Sequence, residues 1–233
     1  MTINFSAMIL AAGFGKRMLP LTKNKPKPLI DINGITLLDN SIFFLEKLGL
    51  KNIIINTHYQ SKKIYKLIND KYSNKNIKLI YEKKILDTGG GIKNALPYFM
   101  NDNIIIINSD IFWTNLNIID ANVLIENYKK NTTPSLLLVS NKHTNGIYKK
   151  QGDFILQKNT IRRYKDRDDI LFYAGLQILN KNNFNKFNQT FFSINKVWDY
   201  LIAINQLTGS QMTTDWYHVG DIQGLKIVRQ LEG

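Results

Sequence analysis

Four consecutive isoleucines, Ile104–Ile107, inside the run "NIIIINSD" at 103–110 constrain this chain more than any other stretch. β-Branched side chains lose rotamer freedom in a helix and pack well on an extended pleat. Successive residues of a strand point to opposite faces, so a strand with no polar member among four is apolar on both sides. Such a strand belongs in the middle of a sheet that is covered above and below. Shorter apolar runs recur at 8–12, closed by Gly13, at 52–56 ("NIIIN") and at 77–82 ("IKLIYE"). Between them, 36–48 carries apolar residues at helical spacing and stops at Gly49, which suits a C-cap. Residues 61–72 read as an amphipathic helix, and 91–100 as a helix opened by the glycines at 89–91. Strands alternating with helices through short connections predict an α/β fold with a Rossmann-like, doubly wound, mostly parallel sheet.

The pattern changes after Thr132. Residues 135–140 form another strand, 146–179 read as several short strands around polar turns, 194–207 as an amphipathic helix, and 222–231 as a last helix. No repeat, linker or low-complexity tail interrupts 1–233. The expected arrangement is therefore one unit in two halves, the first over about 1–132. A smaller antiparallel segment over about 133–233 would lie on the carboxyl edge of the sheet.

Composition removes several classes of function. No segment approaches the roughly 18 apolar residues of a membrane span. No charged n-region with an apolar h-region opens the chain, so no secretory leader is expected. The absence of cysteine excludes disulfides and thiolate chemistry and suits a cytoplasmic protein. The formal charge of +13 comes from 26 lysines and only five arginines spread along the chain. A nucleic-acid face would concentrate arginine and aromatic residues in one place, so the charge is read as attraction for a small polyanion.

In an open parallel sheet, ligands bind beyond the carboxyl ends of the strands. Three marked segments converge there: Gly13–Lys27, Asp87–Gly91 and Asn108–Asp110. Gly13 and Gly15 let the backbone approach a ligand and turn amides toward phosphate oxygens. Lys16, Arg17 and Lys27 add fixed positive charge. The spacing matches neither a Walker loop nor a dinucleotide fingerprint. What stands at 10–22 is L-A-A-G-x-G-x-R-M-x-P-L-T, followed by K-P-K-P-L at 25–29.

These motifs, with "LDTGGGI" at 86–92, "NSDIF" at 108–112 and "WYHVGD" at 216–221, resemble the sugar-phosphate nucleotidyltransferases over nearly the whole chain. Within that family the resemblance is closest to N-acetylmuramate α-1-phosphate uridylyltransferases, whose L-E-T-G-G-G has glutamate where Asp87 stands. It implies Mg²⁺-dependent transfer from an NTP, UTP in that subgroup, to a sugar 1-phosphate, with release of pyrophosphate, in cell-wall sugar salvage and peptidoglycan recycling. Mannose- or heptose-1-phosphate guanylyltransferases share the first loop and form the alternative.

The resemblance also assigns roles. Ala11, Ala12 and Gly13 would contact base and ribose, and Gly15, Lys16 and Arg17 the β- and γ-phosphates. Lys27 would reach the α-phosphate or the sugar phosphate. Thr88, Gly89 and Gly90 would wall the base, with Asn108 also at the nucleotide. Asp110 would hold Mg²⁺, which makes Arg17, Lys27 and Asp110 the catalytic set. Gly175 and Asp153 would meet the sugar. Many relatives carry a second metal-binding aspartate where this chain has His218. Imidazole suits Mg²⁺ poorly, which leaves His218, Asp221 or Asp215 as alternatives at that place. An inert nucleotide-binding regulatory subunit is the reading from another class, and His218 is the residue that favours it.

Plainer roles stand beside these. Asp110 could cap a helix, and Asp87 could cap the helix after it. His58 and His143 read as ordinary loop residues. Phe43, Phe44 and Tyr65 read as core, and Trp198 as packing rather than a sugar platform. No nucleic-acid partner is expected, and the oligomeric state stays open.

Overall fold

The computed structural model describes residues 4–146, 151–165 and 170–231. In chain order the elements begin with β1 (Phe5–Leu10), the hairpin β2 (Asp31–Ile32) and β3 (Ile35–Thr36), and α1 (Leu37–Lys47). There follow β4 (Ile53–Thr57), α2 (Ser61–Tyr72), β5 (Ile77–Tyr81) and α3 (Asp87–Ala95). Next come β6 (Asn103–Asn108), β7 (Ile111–Phe112), α4 (Asn117–Asn131), β8 (Ser135–Ser140) and β9 (Thr144–Asn145). The remainder is β10 (Phe154–Gln157), β11 (Thr160–Arg163), β12 (Leu171–Asn180), α5 (Asn195–Ala203), β13 (Thr208–Gln211), β14 (Trp216–His218) and α6 (Ile222–Arg229).

Nine strands make one sheet in the order β10-β11-β13-β8-β12-β6-β1-β4-β5. The isoleucine strand β6 is central and every one of Ile104–Ile107 is 0% exposed, as expected of a strand apolar on both faces. The odd members pack with α1, α2 and α4 on one side, and the even members with α3 and α5 on the other. The expectation of a mostly parallel sheet needs correction. β6, β1, β4 and β5 run parallel, but β12 pairs antiparallel with both β6 and β8. β10 and β11 are antiparallel too, and β10 also touches β12 through Phe154 and Leu171, so the far edge bends back on itself. The sheet is mixed, and its antiparallel part is as extensive as its parallel part. A ten-residue β12 spanning that part was hidden by its sequence, which reads as short strands and turns.

Three other elements depart from the sequence reading. Helix α4 is legible only in the structure, since buried Asn117 and Asp120 and exposed Leu116, Ile119 and Val123 blur any apolar stripe. Helix α5 stops at Ala203, short of the expected 207, and β13 follows beside β8. The glycines of "DTGGGI" do not precede a helix but form the first turns of α3. The reason is close packing. A Cβ on Gly90 would lie 2.2 Å from the Thr190 carbonyl oxygen, and one on Gly89 2.5 Å from the Phe192 ring. Gly90 N also donates to Phe192 O at 3.0 Å, which ties α3 to the segment before α5. Gly90→Ala should therefore cost about 3 kcal/mol by forcing backbone apart, whereas Gly13→Ala, with nothing within 4 Å, should leave the melting temperature unchanged. Paired denaturation curves check this.

Of the three aromatics expected in the core, Phe44 is buried and stacked on Trp113 at 4.3 Å, while Phe43 and Tyr65 are exposed. Helix α1 opens on a capping box in which Thr36 and Asp39 bond each other's backbone amides. Asp39, 2% exposed, also accepts from Tyr72 Oη at 2.6 Å and from Lys71 Nζ at 3.2 Å. Burial pushes the Asp39 carboxyl up, but the bonds from Tyr72, Thr36 and Lys71 outweigh it and hold the group below the carboxylate range. A depressed acid contributes stability that is complete above its unfolded value near about 3.9 and is lost as pH falls through its lower folded value. Asp39→Asn should cost about 2 kcal/mol at neutral pH and flatten the acid limb of the stability curve below about pH 4, both readable from urea midpoints at several pH values.

Candidate active site

Register brings the functional loops together. Leu10 pairs with both Asn56 and Asn108, so the carboxyl ends of β1, β4 and β6 finish level. The loop after β1 then leaves over this edge. Gly15 sits at φ 65, and a Cβ there would come within 3.0 Å of Thr22 and Lys27 side chains. Thr22 Oγ1 donates to Gly15 O at 2.9 Å and closes the loop upon itself. Lys16 and Arg17 start a single 3₁₀ turn with their side chains exposed, and neither forms an ion pair among the described residues. Prolines at 26 and 28 hold Lys27 in a second 3₁₀ turn that buries Pro28 and Leu29.

Beneath the loop lies a polar relay that sequence reading overlooked. Asn56 Oδ1 accepts from Ala11 N at 2.9 Å, and Asn56 Nδ2 donates to Glu82 Oε1 at 2.7 Å. Glu82 Oε2 in turn accepts from Leu86 N at 3.0 Å. Burial pushes the Glu82 carboxyl up, partly offset by Asn56, the Leu86 amide and His58. The relay fixes the loop after β1 relative to the start of α3. Gly91 makes room for it, since a Cβ there would lie 2.8 Å from both Asn56 Nδ2 and Glu82 Oε1. His58 is less idle than expected, because its Nδ1 lies 2.8 Å from Glu82 O and Phe14 packs edge-on to its ring.

Asp110 is no helix cap. It stands between β6 and β7, where Lys27 Nζ reaches Asp110 Oδ2 at 2.8 Å and His218 Nε2 lies 3.5 Å away. The short ladder of β7 with β14, in which Ile111 faces His218, and the bond from Val219 N to Asp110 O hold that trio together. Burial raises the Asp110 carboxyl, but Lys27 and His218 prevail and hold it far below the carboxylate range. The group is therefore held as a carboxylate at neutral pH.

The cleft above these residues has two lobes. The first, about 430 Å³, is lined by Ala11–Arg17, Lys27, Asp87, Thr88, Asn108 and Asp110, with Glu82 at its base. The second, about 560 Å³, shares Arg17, Asp87, Thr88, Asn108 and Asp110 with the first. It continues to Asp153, Tyr173, Gln177, Trp198, His218 and Asp221. Arg17 and Asp110 thus border the same space.

Several assigned residues sit elsewhere or act differently. Gly89 and Gly90 do not line either lobe, because they face Phe192 and Thr190. Gly175 lies at φ 83 where β12 shifts register, with Ile111 Cγ1 2.6 Å from where its Cβ would stand. Its glycine serves packing against β7, and it does not line the cleft. Asp153 does line the second lobe and accepts from Tyr173 N at 3.1 Å. Asp221 caps α6 by accepting from Gly224 N at 3.0 Å, and Asp215 faces His143 at 3.2 Å. Asp87 begins α3 at φ 61 and accepts from Thr88 N at 2.6 Å while keeping a place in both lobes. Among the described residues, no three His, Cys, Asp or Glu side chains cluster as a metal cage.

A glycine-bearing cationic loop and the Asp110 carboxylate share one cleft at the carboxyl edge of a parallel strand set, the place where α/β proteins bind phosphorylated ligands. The comparisons agree. The family model of nucleotidyl transferases matches residues 6–152, and the chain belongs to that family. It is 29% identical over 229 residues to the N-acetylmuramate alpha-1-phosphate uridylyltransferase of Caulobacter vibrioides, covering 93% of this chain and 92% of the relative. It is 33% identical over 104 residues to the D-glycero-alpha-D-manno-heptose 1-phosphate guanylyltransferase of Aneurinibacillus thermoaerophilus, covering 45% of each. In fold it matches HddC from Yersinia pseudotuberculosis complexed with GMP-PN, with TM-score 0.80 at 22% identity, covering 97% of this chain and 99% of that one. The protein is a nucleotidyltransferase. No helix among the described residues is long and apolar enough to cross a membrane.

Proposed function

We propose that the protein joins UTP to N-acetylmuramate α-1-phosphate, forming the nucleotide sugar and releasing pyrophosphate. The observation that carries the reaction class is the single cleft in which Lys16 and Arg17, without an ion pair among the described residues, share the space bordered by the Lys27–Asp110 pair. The full-length likeness to the Caulobacter vibrioides uridylyltransferase supports the choice of substrates.

A phosphate monoester has a second ionisation near about pH 6, so the sugar phosphate arrives largely as a dianion and needs no base. Its oxygen attacks the α-phosphorus, and the bond from that phosphorus to the bridging oxygen of pyrophosphate breaks. The obstacle is repulsion between two polyanions, and the chain answers it by positioning and charge. Lys27, which lines the first lobe beside Asp110, would reach the α-phosphate, and Arg17 borders both lobes. The backbone of Ala11–Gly15 carries the nucleotide. Mg²⁺ fits Asp110, an ionised oxygen donor of the kind this ion takes together with substrate phosphates and water. His218 stands beside Asp110 but offers nitrogen, and Asp221 is already a helix cap. When bound, the ion would neutralise charge on the phosphate oxygens.

A guanylyltransferase acting on a heptose 1-phosphate is the second reading, favoured by the relative from Aneurinibacillus thermoaerophilus. The discriminating measurement is the rise in melting temperature with each NTP, since a ligand that binds only the native state stabilises it. The largest shift is expected with UTP. An inert regulatory subunit would bind nucleotide but release no pyrophosphate with any pairing of NTP and sugar 1-phosphate.

A further inference from the structure

The second lobe holds three buried polar atoms that meet no protein partner among the described residues: Gln177 Nε2, Tyr173 Oη and His218 Nδ1. Buried side-chain polar groups are overwhelmingly hydrogen-bonded, so three orphans lining one cavity point to a ligand that completes them. Gln177 is 0% exposed on the long strand β12. Its amide orientation is fixed chemically, because Trp198 Nε1 lies 2.8 Å from it and an indole N–H only donates. The atom facing Trp198 must therefore be the oxygen, and the NH₂ is what remains for the cavity. Trp198 is itself immobilised, being 4% exposed, edge-on to Tyr173 at 4.8 Å and to Phe154 at 5.7 Å. The Tyr173 hydroxyl stays protonated, since burial and then Asp110 push it well above its usual value, with the nearby Gln177 amide offsetting part of this. At Gln177 and Tyr173 the floor of the lobe thus presents donors.

Resting on the transferase reading above, we infer that Gln177 donates to an acceptor oxygen on the sugar ring and sets sugar specificity. Trp198 acts as a positioning residue that keeps a donor, not an acceptor, turned toward the substrate. The oxygen is a ring hydroxyl or the carbonyl of an N-acyl group, and both carry the acceptor that an amide NH₂ reads. A sugar lacking it would leave a buried donor unpaired, which is how sites built for one polar group reject its absence.

The test is steady-state kinetics on the full chain with paired sugar 1-phosphates, N-acetylated against unacylated and hydroxylated against deoxy. Wild type is compared with Gln177→Met and Trp198→Phe. The sugar phosphate preferred by wild type should lose about tenfold or more in kcat/KM with Gln177→Met, mainly through KM, while KM for the NTP stays within twofold. Discrimination within one of the two pairs should collapse, and that pair identifies the oxygen. Trp198→Phe should reproduce a part of the loss, and the double variant should lose little more than Gln177→Met, as expected of residues acting through one bond. An unchanged NTP-induced melting shift verifies that each variant is folded around an intact nucleotide lobe. Discrimination preserved in a folded Gln177→Met, or equal rises in KM for both substrates, overturns the inference and leaves the transferase reading standing. Absence of turnover in wild type with every pairing would instead overturn that reading, and the inference with it.

Discussion

Asp110→Asn is expected to lower kcat by roughly 10³-fold, the largest single effect at the site. The replacement keeps the shape and removes the charge that Lys27 meets at 2.8 Å. Two losses combine. Lys27, whose side chain is only 12% exposed, is left without its counter-charge and loses the contact that fixes its ammonium in the cleft. The oxygen donor that fits Mg²⁺ is weakened at the same time. The loss should fall on kcat more than on KM for the NTP, because under the proposed function the triphosphate would rest on the first loop and Arg17, which the replacement leaves untouched. Pyrophosphate release against substrate concentration separates the two parameters. Asp110→Asn turnover within tenfold of wild type would remove Asp110 from the catalytic set.

Arg17→Ala should lower kcat/KM by about 10²-fold, close to 2.7 kcal/mol of lost stabilisation. Its side chain is exposed and makes no ion pair among the described residues, so the folded protein loses no charge pair and the melting temperature should hardly move. Arg17→Lys should recover less than half of the loss on a logarithmic scale, because a point charge cannot grip two phosphate oxygens as a planar guanidinium does. Since Arg17 borders both lobes, the effect should reach KM for the sugar phosphate as well as for the NTP. A variant impaired toward the NTP alone would confine Arg17 to the leaving pyrophosphate.

His218 separates the active from the inert reading of the family likeness. The imidazole lies flat on Trp216 with ring centroids 5.5 Å apart, and Gly220 must lack a Cβ for the ring to fit. It helps to keep Asp110 ionised, a role that an aspartate at the same place would reverse by like-charge repulsion. At this place His218 thus acts on the charge of Asp110.

Local sequence determined the parallel half of this protein and its first loop. An uninterrupted isoleucine run can only be a doubly covered strand, and a glycine–cation–proline loop after a buried strand can only lie at the sheet's carboxyl edge. Residues 61–72 and 135–140 form their expected elements to the residue because period and length agree with their final environment. Tertiary contact decided everything whose cause lies far along the chain. The glycines at 89–91 are helical because Phe192, Thr190 and the Asn56–Glu82 pair press against them. Gly175 is a glycine because Ile111 fills the space its Cβ would need. The donor floor at Gln177 exists because a tryptophan 21 residues later captures the amide oxygen. Periodicity reports what a segment buries, but not which distant group it is buried against, and the specificity of this cleft is made of such pairings.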